Sequence, residues 1–452
     1  MTLPDYFLAD VDAEPTPALV QEAARTVRRN RARFLAERST EDVIETLAEV
    51  ASNWMDPEDP FRVMALEQGP ELSGFSREVL QRGVDTFFGR IHRDSLEALL
   101  LQELGHGRRL DQFATVEAEF GSRALARGPE LIAHFTAGNV PVPAWFSMLA
   151  GLLVRSAQVI KCACGADFFP RLFGHSIYAV DSKLGACLEI ATWSGGHRDI
   201  EEHLFAEVDL VTATGRNETL SQIRGRLPEG VRFVGHGHKV SFLLATREVL
   251  SRAGLRQWLP RIVDDIVAWD QHGCLSPHII YAEVGGAVPA EELSASLASA
   301  LEEREELEPR GRLTEEEHAT IRMKRDFYEI RAAHSTETCI WSSKKGTAWT
   351  VVFEQDPLFQ LSCLNRFIYV KPVAQLEELL RVAEPVRHQV STVGVACPAS
   401  KLESIAHELA HWGASRVCPA GQMQDPPLAW HHDGRPPLAD LVLWTDLERI
   451  RD

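Results

Sequence analysis

Cys274 is the residue whose neighbours best suit covalent chemistry. It lies in Asp270-Gln271-His272-Gly273-Cys274-Leu275-Ser276-Pro277-His278. A Gly before the thiol and a Ser-Pro after it mark a tight turn ahead of a strand. Such a turn can present a thiol to a cleft. His272, His278 or backbone N–H groups nearby would lower its pKa and favour the nucleophilic thiolate. The plainer alternative is a small buried hydrophobe, as most free cysteines are.

Two further residues stand where a strand gives way to a turn. Asn139, in His134-Phe135-Thr136-Ala137-Gly138-Asn139-Val140-Pro141-Val142-Pro143, carries an amide that could donate to a developing oxyanion, though Asn is also simply a good turn residue. Lys161 ends Gln158-Val159-Ile160-Lys161, at the strand end where α/β sheets bind ligands. A snorkelling lysine there is the commoner case.

Gly235-His236-Gly237-His238-Lys239-Val240 has a G-x-G, but Val240 occupies the place of the third glycine, so it is no dinucleotide loop. His236 and His238 with Cys162 and Cys164 match no zinc spacing. His407-Glu408-Leu409-Ala410-His411 is a literal H-E-x-x-H, which can place two zinc ligands and a general base on one helix. The helical wheel opposes it. Leu402, Ile405, Ala406 and Leu409 share one face, and both histidines point to the other. A third ligand would have to come from His431, His432 or Asp433. There is no nucleophile elbow and no phosphate loop of the Walker type.

These residues need a scaffold, and the chain is long enough for several. Its 452 residues allow two or three domains with their own cores. A net charge of −18 argues against nucleic acid, which calls for a basic stripe. The longest apolar stretch, Val140–Leu153, contains two prolines and is too short to span a membrane. The acidic N-terminus has no apolar leader core. Eight cysteines without a framework spacing read as reduced thiols of a cytoplasmic protein.

Residues 1 to about 125 read as helices. In Asp94–Gly105, Asp94 or Ser95 could cap the start, Leu96, Leu99, Leu100 and Leu104 form a stripe, and Gly105 can stop the helix. From about 130, short apolar runs alternate with helical stretches, as in a parallel sheet: Leu131–Phe135, Gln158–Ile160, Leu210–Thr212, Val231–Val234 and Val240–Leu244. A second such stretch starts near Leu259, with Ile279–Val284, Trp349–Phe353, Phe367–Val370 and Thr392–Val395. Between its strands, Leu293, Leu297 and Leu301 predict an amphipathic helix that begins near Pro289 and ends at Pro309.

Three stretches together resemble one family: Ala137-Gly138-Asn139-Val140-Pro141, Gly273-Cys274-Leu275-Ser276-Pro277-His278, and Cys418-Pro419-Ala420-Gly421-Gln422-Met423-Gln424 through His432-Asp433-Gly434. The chain resembles the acyl-CoA reductases of the bacterial bioluminescence type (LuxC-like), a branch of the aldehyde dehydrogenase superfamily. The likeness runs from about residue 130 to the end. It implies an α/β, aldehyde dehydrogenase-like fold, with two open, parallel-rich α/β domains and an N-terminal helical region. The expected domains are 1–258 (helices plus dinucleotide-binding domain), 259–430 (catalytic cysteine) and 431–452 (a segment returning to the cofactor domain or a subunit interface).

The same resemblance assigns roles. Cys274 matches the catalytic cysteine and Asn139 an oxyanion donor. Lys161 matches the lysine on the cofactor ribose, Thr214 and Gly215 the turn near the pyrophosphate, and Glu354 the glutamate on the nicotinamide ribose. Gly235 stands where hydrolytic members carry the Glu that activates water, leaving His236 or His238 as the remaining candidate bases. Cys164 stands where NAD-preferring members carry an acid, which implies NADPH. No metal is expected. The implied activity is reduction of an acyl thioester, acyl-CoA foremost, to the aldehyde through an acyl-cysteine. Arg416–Gly434 would line the acyl tunnel, and Trp145, Phe146, Met148 and Leu149 are available to it, although core is the commoner place for any one of them. A homo-oligomer and an acyl-activating synthetase partner belong to the same resemblance. A zinc hydrolase built on 407–411 and a non-catalytic scaffold of the same fold are the rival readings.

Overall fold

A computed structural model describes residues 15–115 and 123–448. The chain divides into two compact units. One comprises 1–73, 84–237 and 427–452, the other 74–83 and 238–426.

The chain begins with helices α1–α5: Pro17–Phe34, Thr40–Met55, Pro60–Ser73, Arg77–Phe88 and Arg93–Leu104. Thr16 caps α1 by accepting from the Leu19 N–H, and Pro17 sits where its missing donor costs nothing. Val20, Ala24 and Val27 then bury one stripe of α1. The start of α5 differs from expectation. His92, not Asp94 or Ser95, is the cap, with Ser95 bonding back to the His92 N–H. Gly105 ends the helix in the left-handed region, at φ 70°.

Beyond them the chain runs β1 (Arg123–Arg127), β2 (Leu131–Phe135), α6 (Val142–Leu153), β3 (Ala157–Cys162), α7 (Phe168–Val180), α8 (Ser182–Gly185) and β4 (Leu188–Thr192). It continues with α9 (Arg198–Phe205), β5 (Leu210–Thr214), α10 (Asn217–Arg224) and β6 (Arg232–His236). Among the described residues the first unit holds a five-stranded parallel sheet in the order β4-β3-β2-β5-β6. β2 and β3 are buried throughout, which is why they read as mainly apolar runs, interrupted only by His134, Gln158 and Lys161. Trp145, Met148 and Leu149 are core. Trp145 packs in a cluster with Trp54, Phe88 and Phe169, so these side chains fill the interior rather than a channel.

The second unit carries β7 (Val240–Ala245), α11 (Arg252–Val267), β8 (Pro277–Glu283), α12 (Ala290–Leu307), α13 (Glu315–His334), β9 (Thr338–Ser342) and β10 (Thr350–Glu354). After these come β11 (Phe367–Val373), α14 (Leu376–Val382), β12 (Val390–Ala396), α15 (Ala399–Trp412) and β13 (Arg416–Pro419). Its seven strands run β13-β12-β7-β8-β11-β10-β9, parallel except for the β9–β10 pair. Side chains alternate across it. Leu243, Ile280, Val351 and Ile368 face the core that includes α11 and α12. Phe242, Ile279, Val352 and Tyr369 face the core that includes α13 and α15.

The expected boundary after residue 258 falls inside this unit. β7 follows the first sheet's strands in sequence but hydrogen-bonds to β12 and β8, and apolar periodicity does not say which sheet a strand joins. The last strand, β14 (Leu443–Leu447), pairs with β1 as an antiparallel ribbon in the first unit. No described helix is long and apolar enough to cross a membrane.

Candidate active site

Parallel strands end at the same edge, so a single edge of the first sheet gathers several of the expected residues. Phe135, Lys161 and Ala213 are register partners across β3, β2 and β5. Asn139 follows β2, Lys161 lies near the end of β3, and Thr214 and Gly215 end β5. The chain reverses its direction of strand addition at β2, which is where open α/β sheets take their ligands. Lys161 is buried, its Nζ 6.0 Å from the Trp193 ring centroid, and burial lowers its pKa. Gly215 donates its N–H to the His236 carbonyl (3.1 Å), and a Cβ there would meet nothing within 4 Å. Open space beside the turn after β5, with a desolvated ammonium on β3 at the same edge, one strand removed across β2, fits the phosphates of a dinucleotide. Asn139 and Cys164 are both exposed.

In the second unit the half-buried Cys274 sits in the turn between α11 and β8. Ser241 on β7 donates to the Cys274 carbonyl (2.8 Å) and accepts from the Thr392 N–H of β12 (3.2 Å). The Ser276 N–H bonds to the Gly273 carbonyl (3.0 Å), closing the turn. The Gln424 side chain donates to Ser276 Oγ and lies where a Cβ on Gly273 would be, 2.9 Å away. Gln424 belongs to a loop that Asp265 of α11 holds by accepting from the Gly421 and Met423 N–H groups (2.6 and 2.9 Å). Burial pushes the Asp265 carboxyl up to about 7 against those two bonds.

The backbone on the other side of the turn was not foreseen. Trp269, Asp270 and Gln271 have φ of 52°, 48° and 68°, and Leu364, Asn365 and Arg366 have 62°, 56° and 60°. Left-handed runs of non-glycine residues are costly and need outside support. The two runs support each other. Asn365 N–H donates to the Asp270 carbonyl (3.0 Å), and Arg366 pairs with the Asp270 carboxylate (2.8 Å) in full burial. Gln271 donates to the Pro277 and Phe367 carbonyls (2.7 and 3.1 Å). His272 Nε2 lies 2.9 Å from Asn365 Oδ1. Asn365 and Asp270, of types that tolerate the left-handed region, are the hints of this in the sequence.

His278 does not act as expected. His278 points into β8's buried surroundings, where its Nδ1 accepts from the Ser362 N–H (3.2 Å). Burial holds its pKa down at about 4, so it is neutral and supplies no cation to lower that of Cys274.

A model of the acyl-CoA reductase (LuxC) family matches residues 35–444. The chain belongs to this family. It is 22% identical over 418 residues to long-chain acyl-protein thioester reductase 2 of Photobacterium leiognathi, covering 90% of this chain and 82% of the relative. It is 23% identical over 419 residues to the long-chain acyl-protein thioester reductase of Photorhabdus luminescens, with the same coverage. Among solved structures it is similar to a variant of Thermus thermophilus 1-pyrroline-5-carboxylate dehydrogenase. The TM-score there is 0.71 at 13% identity, covering 96% of this chain and 86% of the other. The Mycobacterium tuberculosis delta-pyrroline-5-carboxylate dehydrogenase gives 0.68, also at 13%, covering 96% and 83%. The fold is therefore that of the aldehyde dehydrogenases.

Against the acyl-CoA reductase pattern, two candidates lie elsewhere. Glu354 ends β10, whereas Cys274 precedes β8. Since β8, β11 and β10 are parallel, the two residues occupy opposite edges of the sheet. Glu354 is buried, paired with Arg331 (3.0 Å) and bonded by the Thr338 hydroxyl (3.1 Å). The residues that the fold brings to Cys274's edge of β11 are Ser362–Arg366 instead. His407, Glu408 and His411 are exposed on α15, as the helical wheel requires, and His411 Nδ1 is bonded to the His407 carbonyl (2.8 Å). Among the described residues, no group of three metal-ligating side chains includes them.

Proposed function

We propose that this chain reduces an acyl thioester to the aldehyde with NADPH, through an acyl-enzyme on Cys274. The observation that carries the reading is the half-buried Cys274 on a turn whose backbone is fixed by Ser241, Gln424 and two interlocked left-handed segments, in a chain of the acyl-CoA reductase family. A turn held in this way limits how far the backbone carrying the thiol must reorganise during reaction.

In this mechanism the Cys274 thiolate attacks the thioester carbonyl. The substrate's C–S bond breaks, the carrier thiol leaves, and a new thioester joins the acyl group to Cys274 Sγ. The Cys274 N–H and the Asn139 amide serve as oxyanion donors. Lys161, Thr214 and Gly215 hold the dinucleotide, which supplies the hydride that releases the aldehyde and regenerates the thiolate. Cys164, in place of an acid, leaves a 2′-phosphate without a repelling charge. Gly235 contributes no carboxylate to activate water, and a Cβ there would lie 2.7 Å from the Phe233 ring. An acyl-Cys274 then lacks the carboxylate that would activate water, which leaves His236 or His238 as the remaining candidate bases. Long-chain acyl-CoA and an acyl-protein are both substrates to test, since the curated relatives are named for acyl-protein thioesters. A homo-oligomer and an acyl-activating synthetase partner remain part of this proposal.

The test is NADPH oxidation with long-chain acyl-CoA or acyl-carrier protein, aldehyde being trapped, for wild type and Cys274→Ala. Wild type is expected to oxidise NADPH and form aldehyde in equal amounts. Cys274→Ala should lose both, by at least about 10³-fold. Turnover retained in Cys274→Ala would remove the nucleophile from the mechanism.

A further inference from the structure

We infer that His236, His432 and Asp433 form a binding site for one divalent transition-metal ion of the zinc class, on the strand next to the proposed cofactor turn at Thr214 and Gly215. His236 ends β6, and the other two lie in the C-terminal segment of the same unit. All three are half-buried, and their ligand atoms lie within 4.8 Å of one another. They form the one such group among the described residues.

The distances favour a metal over a hydrogen-bonded triad. Asp433 Oδ2 is 3.5 Å from His236 Nδ1 and 3.8 Å from His432 Nε2. Both exceed a normal hydrogen bond, about 2.7–3.2 Å. Two ligands each about 2.1 Å from a tetrahedral zinc ion are about 3.4 Å apart. His236 Nδ1 is also closed off from solvent and makes no hydrogen bond. A buried imidazole nitrogen left in that state is costly unless something fills the position. The His236 and His432 rings lie 4.3 Å apart and nearly parallel, so binding opens the stack by rotation about Cβ–Cγ bonds, whose torsional wells are broad.

The local backbone presents this set. Asp433 and Gly434 are both left-handed, with φ of 53° and 76°, in a turn closed by Gly434 N–H to the His431 carbonyl and Arg435 N–H to the His432 carbonyl. Arg232, on the same strand as His236, donates to the Leu441 and Val442 carbonyls (2.6 and 3.0 Å). β6 thus already grips the C-terminal segment at one point, and the metal would pin it at a second. Two imidazoles and one carboxylate suit Zn²⁺, Co²⁺ or Ni²⁺ over Mg²⁺ or Ca²⁺, with a fourth position for water.

The experiment titrates Co²⁺ into the full chain after chelation and dialysis, reading visible d–d absorption, with Tm followed on adding Zn²⁺. The expected result is one ion per chain, displaced by Zn²⁺, with a Tm rise that a chelator reverses. His432→Ala and Asp433→Asn should each weaken binding by at least about tenfold, while His407→Ala leaves the titration unchanged. Circular dichroism of the metal-free variants checks their folding. No saturable binding by wild type overturns the proposal. So does unchanged binding in folded His432→Ala, or an intense near-ultraviolet thiolate-to-cobalt band, which would assign the ion to cysteine.

Discussion

Gly273 owes its identity to its neighbour across the turn. The space a Cβ would take belongs to the Gln424 amide, which is itself committed to Ser276. Gly273→Ala therefore displaces either Gln424 or the Cys274 backbone. Stability should fall by about 1–3 kcal/mol, the usual range for an added carbon in a packed site. Activity should fall further, by about 10–100-fold in kcat, because reacting groups tolerate little misplacement. Denaturation and steady-state kinetics on the same variant separate the two. An unchanged kcat would mean that Gln424 does not set the position of the thiol. The contrast with His278 is instructive. A histidine four residues from a cysteine invites an ion-pair reading, but the strand carries it into a place where it stays neutral.

At the scale of elements, buried titratable groups tie stability to pH with opposite signs. His134 on β2 and His278 on β8 have pKa values held down at about 4 by burial. Unfolding lets each take up a proton between about 6.5 and 4, so their contribution is present above 6.5 and lost as pH falls. Asp265 on α11 is raised to about 7. Its folded form keeps a proton that the unfolded chain releases, so its contribution is present below about 4 and lost as pH rises through 7. Between pH 5 and 6, Asp265→Asn should steepen the acid loss of stability by about 1.4 kcal/mol per pH unit, one proton's worth, and His278→Gln should flatten it by as much. Denaturant titrations across that window measure both. A parallel Asp265→Asn curve would show the carboxyl ionised there. The interlocked left-handed runs give a second expectation. Arg366→Met leaves the buried Asp270 carboxylate with the Gly311 N–H but no ion-pair partner, removes the ion-pair partner of Glu305 as well, and should cost about 3–5 kcal/mol, read by the same denaturation.

For the whole molecule, the dinucleotide proposal implies a linkage. NADPH at about 100 times its Kd should raise unfolding stability by about 2.7 kcal/mol. Cys274→Ala should keep that gain and Lys161→Ala should lose most of it. Thermal shifts for the three proteins check this, and equal shifts in all of them would take Lys161 out of the cofactor site. The sequence by itself determined much of the architecture. Mainly apolar runs mark β2, β3, β8 and β11 because parallel strands are buried on both faces, and Leu293, Leu297 and Leu301 mark α12 because a 3.6-residue period has one inner stripe. The motifs around Asn139 and Cys274 indicated the family, and the α15 wheel argued against the H-E-x-x-H. Tertiary structure alone decided the rest. β7 joined the second sheet because strand partners are chosen by long-range pairing, which local pattern does not encode. Glu354 went to the far edge because parallel register, not distance along the chain, sets which residues meet. The left-handed supports of Cys274 were hidden because one Asn and one Asp, equally at home in ordinary turns, do not mark a strained backbone that a buried Asp270–Arg366 pair and its neighbours hold.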